Sequence, residues 1–309
     1  MHSGNRLESA LALQAAFADI NIHKSRSEYD PARKGHCVID ANQDREALAW
    51  QTGVWNRISD IYVREIDRRF VPAVEALVGR AALLGGEQVL DLGTGTGAVA
   101  QRAAAIVGSR GRVVGVDISP EMLALARRSA TNMGLGSLTF LAGRAEAIPA
   151  EDAAFHAVLA CLSMMYIIDR EAAAREIARV LKPGGRFVAA VWAAPEQCDI
   201  VLVQQTAGRF AGPPPVPGVG PGALAEPSGF LRQLDAAGIQ ARVETETLGF
   251  DFPDFTSAWD TLAGVTTAQL PPERQQEAKD AVRVAMYPKG DGPRHFRNVT
   301  QFIIGRARG

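Results

Sequence analysis

The sequence predicts an α/β fold in which a doubly wound, mostly parallel sheet of about seven strands carries helices on both faces. Short apolar strands alternate with amphipathic helices along the middle of the chain, which is typical of βαβ units. A glycine-rich turn joins the first of these strands to its helix. The chain has 309 residues, of which 47% are hydrophobic and 22% charged, so it can bury a large core.

The N-terminal part is predicted to be helical in two stretches. Residues 5–20 place apolar side chains near one helical face, and a polar stretch without clear period follows. Helical spacing returns over 45–78, where large apolar residues recur three or four apart. We therefore expect an N-terminal helical arm or lid over 1–44 and one domain over 45–309. The arm is either loosely packed, or it covers an active site or exchanges with a neighbouring subunit to form a homo-oligomer.

The central part predicts the βα units in order. Ser119 and Pro120 fit the N-cap and first position of the second helix, and Pro183 with the two glycines after it ends the third. Strands are expected over 89–92, 112–116, 138–141, 154–162 and 186–192, and helices over 98–107, 118–132 and 170–181.

The C-terminal part begins with a Pro/Gly-rich segment over 211–229, which we interpret as a surface loop or lid within the domain. A helical insertion is expected at about 253–288. The remaining predicted elements are helices over 230–237, 257–262 and 272–285, and strands over 242–250 and 297–304.

Composition excludes several classes of protein. There are 33 Lys and Arg against 34 Asp and Glu, so the chain has no global basic field for a nucleic acid. Cys37, Cys161 and Cys198 are too scattered for a disulfide framework or a metal site, and none is expected. Neither a membrane-spanning run nor a secretory signal is evident, so we expect a cytoplasmic protein without a membrane partner.

The segment after the first strand carries the strongest functional signal. Gly93, Gly95 and Gly97 alternate along a turn, which lets the backbone approach a ligand closely, and a helix N-terminus follows. Asp117 lies twenty residues past Gly97, at the end of the second strand, where a carboxylate can accept both hydroxyls of a ribose. Together these features predict an adenosine-containing ligand.

Two interpretations of that ligand remain open from the residues alone. Gly93, Gly95 and Ala98 satisfy the dinucleotide pattern, which predicts an NAD(P)-dependent oxidoreductase. Asp91 lies two residues before the first glycine, where a carboxylate is unfavourable beside a pyrophosphate but suits a cationic ligand.

Five segments of the chain resemble, in order and spacing, the motifs of class I S-adenosylmethionine (SAM)-dependent methyltransferases. They lie at 91–97, 116–119, 143–149, 155–158 and 181–185. The resemblance is closest to the small-molecule enzymes of quinone biosynthesis and natural-product chemistry, and it covers about 45–309. It implies a Rossmann-like sheet whose last strand is antiparallel, SAM as cofactor and S-adenosyl-L-homocysteine as product.

The same resemblance implies a cofactor site. Asp91 and the glycine backbone would hold the methionine end, and Asp117 would hold the ribose. The family commonly has an acid where Arg144 stands and an Asp where His156 stands, and we expect His156 to be structural. The implied cofactor-binding residues are Asp91, Gly93, Thr94, Gly95, Gly97, Asp117, Ile118, Met122, Ala145, Glu146, Leu162 and Tyr62.

The acceptor side is predicted at the carboxyl ends of the fourth and fifth strands. Met164, Met165, Tyr166 and Trp192 lie there and favour an apolar acceptor, and Tyr166 and His295 are candidates for a catalytic or orienting group. The predicted function is SAM-dependent methyl transfer to oxygen or carbon of a small, largely apolar metabolite, such as a natural product. Besides the oxidoreductase, the alternative is a SAM-binding cyclase or binding module that transfers no methyl group.

Overall fold

The computed structural model describes residues 41–263, 267 and 269–309. The predicted arm over 1–44 therefore falls almost entirely outside the described residues. The remaining chain, Ala41–Gly309, forms one compact unit. Within the described ranges, none of the helices combines the length and the apolar character needed to cross a membrane.

Seven strands form one sheet, as predicted. They are β1 (Gln88–Leu92), β2 (Arg112–Asp117), β3 (Leu138–Ala142), β4 (Phe155–Cys161), β5 (Leu181–Trp192), β6 (Ile239–Phe252) and β7 (Arg294–Ala307). Their order across the sheet is β3-β2-β1-β4-β5-β7-β6. Strand β7 pairs antiparallel with both of its neighbours, while β1 to β5 pair in parallel. The fold is therefore the Rossmann-like class I arrangement expected from the sequence.

Nine helices of eight or more residues flank the sheet in the described part of the chain. They are α1 (Ala41–Ile61), α2 (Asp67–Ala81), α3 (Ala98–Val107), α4 (Pro120–Asn132), α5 (Arg170–Val180), α6 (Asp199–Gly208), α7 (Ser228–Ala236), α8 (Phe255–Leu262) and α9 (Pro272–Met286). A π-helical turn, Tyr62–Ile66, joins α1 to α2, and a short 3₁₀ turn, Met164–Tyr166, follows β4.

Local sequence explains where the central helices begin. Gly97 has a φ of 88°, a conformation that glycine adopts at little cost, and α3 starts at the next residue. The hydroxyl of Ser119 accepts the N–H of Met122 at 3.1 Å, and Pro120 occupies the first turn of α4. The predicted capping of α4 is confirmed.

Burial in the central strands requires cover on both faces. Successive side chains of a strand point to opposite faces, and the four residues from Val89 to Leu92 are all buried in β1. Four consecutive buried residues likewise occupy the middle of β4. The strand order reverses between β1 and β4, so the carboxyl ends of β1, β2 and β4 border a switch point where ligands of such sheets bind.

Three strands were predicted too short, and one helix was missed. Strand β5 starts at Leu181 rather than 186, because the residues around Pro183 form an irregularity in the pairing with β4 and not the end of a helix. Helix α6 was not predicted. Strands β6 and β7 are 14 residues each, and they pair with one another beyond the end of β5 at Trp192.

Candidate functional site

The glycine loop after β1 is fixed by hydrogen bonds to β2. The N–H groups of Gly93 and Thr94 both donate to the carbonyl of Val116, at 2.8 and 3.0 Å. Gly93 and Gly95 have φ angles of 75° and 53°. A Cβ atom at position 93 would lie 2.4 Å from the Cβ of Ser163, so the chain after β4 can approach the loop only where a glycine stands.

Asp117 closes the other side of this loop. One carboxylate oxygen accepts the N–H of Gly95 at 2.8 Å, and the other accepts the N–H of Ser119 at 2.9 Å. Asp117 also lines the cavity beside the loop. Burial raises the pKa of Asp117, while the backbone donors oppose that effect. A pair of hydroxyl donors from a ribose would satisfy the carboxylate further.

Asp91 is buried with one oxygen unpartnered. Its Oδ2 accepts the Thr94 hydroxyl at 2.6 Å and the Ala100 N–H at 3.0 Å. Its Oδ1 is buried and has no hydrogen-bond partner among the described residues. Burial raises the pKa of Asp91 to about 7. An orphaned carboxylate oxygen beside the glycine loop fits a cationic group of a ligand, such as the ammonium of a methionine moiety.

A second carboxylate, which the sequence did not point to, lines the same small pocket as Asp91. Asp67 begins α2, accepts the Thr96 hydroxyl at 2.8 Å, and lines a small pocket together with Asp91 and Tyr62. Burial raises the pKa of Asp67 as well. No motif marks Asp67 in the sequence, because it reaches the loop only through the packing of α2. Two carboxylates at one loop suit a cation and oppose a pyrophosphate.

The predicted cofactor residues lie mostly around one cavity. Asp91 and Thr94 line the adjoining small pocket, which shares Gly93, Gly95, Leu162 and Tyr62 with that cavity. Gly97 lines neither space, since a Cβ there would meet Ala126 and Phe140. The predicted residues around the main cavity are Gly93, Gly95, Asp117, Ile118, Met122, Ala145, Glu146, Leu162 and Tyr62.

Arg144, at the position where the resembling family has an acid, forms a clasp with α1. Its two terminal nitrogens donate to the two oxygens of Asp44 at 2.6 and 2.7 Å, and its Nε lies 3.4 Å from Glu146. This guanidinium holds the pKa of Asp44 below its usual range. Arg144 also lines the main cavity, so the ion pair fastens α1 at the cavity's edge.

A second, larger cavity adjoins the first. It has a volume of about 660 Å³, within the usual range for a small-molecule site, and lies among α1, α6 and the Pro/Gly-rich segment. Trp55 and Tyr166 line both cavities. Burial raises the pKa of the Tyr166 phenol above its usual range, so the hydroxyl stays protonated and can donate a hydrogen bond.

The other predicted acceptor residues differ in their placement. Met165 and Trp192 line a small pocket between the two cavities, together with Tyr62 and Tyr166. Met164 is fully buried and lines none of the cavities described here.

Neither histidine singled out from the sequence lines these cavities. His295 is exposed on the β6–β7 ribbon and lies 2.8 Å from Asp251, so the structure does not bring it to Tyr166. His156 accepts the N–H of Gln88 at 3.0 Å, which is the structural placement expected for it.

Parts of this chain are similar in sequence to known proteins. Residues 89–185 match a family model described as a methyltransferase domain. The ubiquinone/menaquinone biosynthesis C-methyltransferase UbiE of Edwardsiella ictaluri is 37% identical over 112 residues, which cover 36% of this chain and 45% of that protein. UbiE of Hahella chejuensis is 29% identical over 144 residues, 46% of this chain and 55% of that protein. The chain thus matches about half the length of these curated relatives.

A solved structure shows the same fold. The YcgJ protein from Bacillus subtilis superposes with a TM-score of 0.58 at 21% identity, and the match covers 77% of this chain and 99% of that chain. This likeness shows the fold, and the segment that matches the methyltransferase domain, residues 89–185, contains the glycine loop, Asp117 and Tyr166.

Proposed function

We propose that the protein transfers a methyl group from SAM to oxygen or carbon of a small, largely apolar acceptor. One observation carries the proposal. The glycine loop, the unpartnered oxygen of Asp91 and the carboxylate of Asp117 border adjoining spaces, and the Trp55–Tyr166 wall separates them from a larger cavity. A site that carries carboxylates thus stands directly beside a larger cavity that could hold an acceptor.

The residues of the polar side have separable roles in this proposal. Asp91, with Asp67 on the same small pocket, would neutralise the ammonium of the cofactor, and Asp117 would accept from the ribose hydroxyls. Ile118 and Met122 would border the adenine. When bound, SAM would supply a methyl carbon on a sulfonium: the acceptor atom would bond to that carbon as the carbon–sulfur bond breaks, with its electron pair left on sulfur and the acceptor's proton lost to solvent.

The protein's contribution to the reaction is then mainly alignment. Displacement at an activated carbon needs the acceptor atom, the methyl carbon and the sulfur in line, and orientation of this kind can supply roughly 7–11 kcal/mol. Trp55 and Tyr166 stand where the two cavities adjoin, so their rings restrict the path between them. The Tyr166 hydroxyl, kept protonated by burial, donates to the acceptor rather than acting as a base.

The proposed class of acceptor rests on the lining of the larger cavity and on the similarity of this chain to the UbiE proteins. Trp50, Val54, Leu270 and several prolines favour an apolar molecule. The two UbiE relatives are named as C-methyltransferases of quinone biosynthesis, which supports carbon as one of the two target atoms. The oxidoreductase alternative is not favoured, because Asp67 and Asp91 would face a pyrophosphate across the glycine loop.

Calorimetric titration with SAM, S-adenosylhomocysteine and NAD in parallel tests the cofactor. We expect micromolar binding of the two adenosyl-sulfur ligands, about −8 kcal/mol, and none of NAD. Binding of NAD alone would contradict the proposal. Mass spectrometry of apolar phenols and quinols incubated with the protein and SAM then tests transfer. Conversion to an isomer without the mass of a methyl group would favour the cyclase alternative.

A further inference from the structure

A buried amide faces the larger cavity without a partner. Gln204 lies in the middle of α6, is 7% exposed, and lines both the larger cavity and the small pocket that contains Tyr62 and Trp192. Its Oε1 is buried and has no hydrogen-bond partner among the described residues. Leaving such a group unsatisfied is unfavourable, so a ligand that supplies the missing partner gains affinity.

The neighbouring amide side chains, Gln51 and Gln205, are hydrogen-bonded to the protein. The Nε2 of Gln51 donates to the carbonyl of Tyr166 at 2.6 Å, and the Nε2 of Gln205 donates to the carbonyl of Pro221 at 3.4 Å. These two side chains hold the walls of the cavity together. Gln204 makes no such bond through its Oε1, so this buried atom at the cavity wall lacks a partner of its own.

The backbone beneath Gln204 is firmly placed. The side chain of Asn298 on β7 accepts the N–H of Ile200 at 2.9 Å, and Asp199 accepts the N–H of Arg297 at 2.9 Å. The start of α6 is therefore tied to the sheet. A side chain on a helix anchored in this way presents its amide in a fixed direction, as selective recognition requires.

We propose that Gln204 selects the acceptor by hydrogen bonding to a hydroxyl group of an otherwise apolar molecule held among α1, α6 and the Pro/Gly-rich segment. A hydroxyl both donates and accepts, so it satisfies the amide whichever of its two polar atoms is turned inward. Among the lining residues that the structure describes, Gln204 is the one with a buried oxygen that lacks a partner, so a hydroxyl at this point separates one acceptor from another. This inference rests on the proposed function, since it assigns the larger cavity to the acceptor.

The test compares a matched pair of probes, 2-naphthol and naphthalene, on the full chain saturated with S-adenosylhomocysteine. Ligand-observed NMR titrations give the ratio of their affinities for the wild type, for Gln204→Met and for Gln276→Met, a control at an exposed glutamine of α9 that does not line the cavity. We expect the wild type and Gln276→Met to prefer 2-naphthol by about tenfold or more. Gln204→Met should lose that preference and retain its affinity for naphthalene, which a general loss of structure would not do.

The outcomes separate this inference from the proposed function. If S-adenosylhomocysteine fails to bind the wild type, the proposed function fails. If it binds and Gln204→Met keeps the preference for 2-naphthol, or the wild type shows none, the role of Gln204 is overturned. Gln204→Leu serves as a second variant if the Met variant does not fold, with its affinity for S-adenosylhomocysteine as the check on folding.

Discussion

The rings of Trp55 and Tyr166 meet edge to face, with their centroids 4.9 Å apart and their planes at 89°. Trp55 comes from α1 and Tyr166 from the turn after β4, so two distant parts of the chain form one partition. Both residues line the cavity beside the glycine loop and the larger cavity. The partition therefore stands where the cofactor and the acceptor would meet.

Removing the Trp55 ring from the partition should weaken binding of the cofactor product. Trp55→Ala is expected to weaken S-adenosylhomocysteine binding by roughly three- to tenfold, because an edge-to-face pair contributes about 0.5–1.5 kcal/mol beyond its buried area. Trp50→Ala is the matched control, since Trp50 lines only the larger cavity and is 42% exposed. Calorimetry on both variants checks this, and equal effects on S-adenosylhomocysteine would contradict the assignment of the partition.

Cofactor binding should depend on pH through Asp91. Its pKa is raised by burial to about 7, so the carboxylate that attracts an ammonium is mostly protonated at pH 6 and mostly ionised at pH 8. We expect S-adenosylhomocysteine affinity to rise by up to about tenfold over that interval. Asp91→Asn should bind more weakly at pH 8 and show a flat profile; a variant profile as steep as the wild type would assign the titration to another group.

The raised pKa of Asp91 should make the protein without ligand less stable as pH rises, although the same rise in pH makes cofactor binding stronger. Between the ordinary pKa of 3.8 and about 7, folded Asp91 holds a proton that the unfolded chain releases. The contribution of Asp91 to the free energy of unfolding is therefore fully present below the lower value and falls as pH rises through this window. Asp91→Asn should reduce that fall in denaturant titrations at several pH values.

Asp117→Ala should weaken binding of adenosine and of S-adenosylhomocysteine by the same factor. Losing a charged acceptor for the ribose costs about 1–3 kcal/mol, or roughly five- to 150-fold. Asp91→Asn should instead affect S-adenosylhomocysteine and spare adenosine, which has no ammonium. Asp235→Ala controls for loss of surface charge, because Asp235 pairs with Arg308 on the exposed surface. An unchanged affinity in Asp117→Ala would remove this residue from the site.

Gly93→Ala should destabilise the fold by several kcal/mol. The φ of 75° is unfavourable for alanine, and the added Cβ would lie 2.4 Å from that of Ser163. Gly136→Ala is the control, since nothing lies within 4 Å of its added Cβ and its φ is not positive. Thermal unfolding should show a large drop for the first variant and a change within about 1 kcal/mol for the second.

The Arg144–Asp44 clasp should contribute modestly to holding α1. The two side chains are 24% and 34% exposed, so we expect a coupling of about 0.2–1 kcal/mol in a double-mutant cycle of Arg144→Ala and Asp44→Ala. Faster amide exchange along α1 in either single variant would locate the effect. Additive single effects on stability would mean that the two side chains act independently.

Sequence reasoning worked best where local chemistry and periodicity agree. The bounds of α3 were predicted to the residue because a left-handed Gly97 precedes it and Gly108 follows it. The gathering of Asp91, Asp117 and the glycine loop at one sheet edge follows from parallel strands and their alternating connections.

The sequence did not predict elements that are buried on most sides, because such elements lack the alternation of polar and apolar residues. Six of the ten residues of α6 are buried, including Gln204 and Thr206, so the helix shows no polar stripe and its N-cap residue makes no side-chain bond. Missing α6 meant missing Gln204. The contacts of Asp67 with Thr96 and of Asp44 with Arg144 could not be predicted either, because the two residues of each pair are far apart in sequence.

The double hydrogen bond to the Val116 carbonyl has a consequence for the thermodynamics of binding. Gly93 and Thr94 are tied to β2, and Gly95 to Asp117, by hydrogen bonds that belong to the fold itself. The loss of backbone entropy at the loop is thus a cost of folding and not of association. Ligand binding at this loop should therefore proceed with little ordering of the chain, and the entropy that opposes it should come mainly from the ligand's own rotatable bonds.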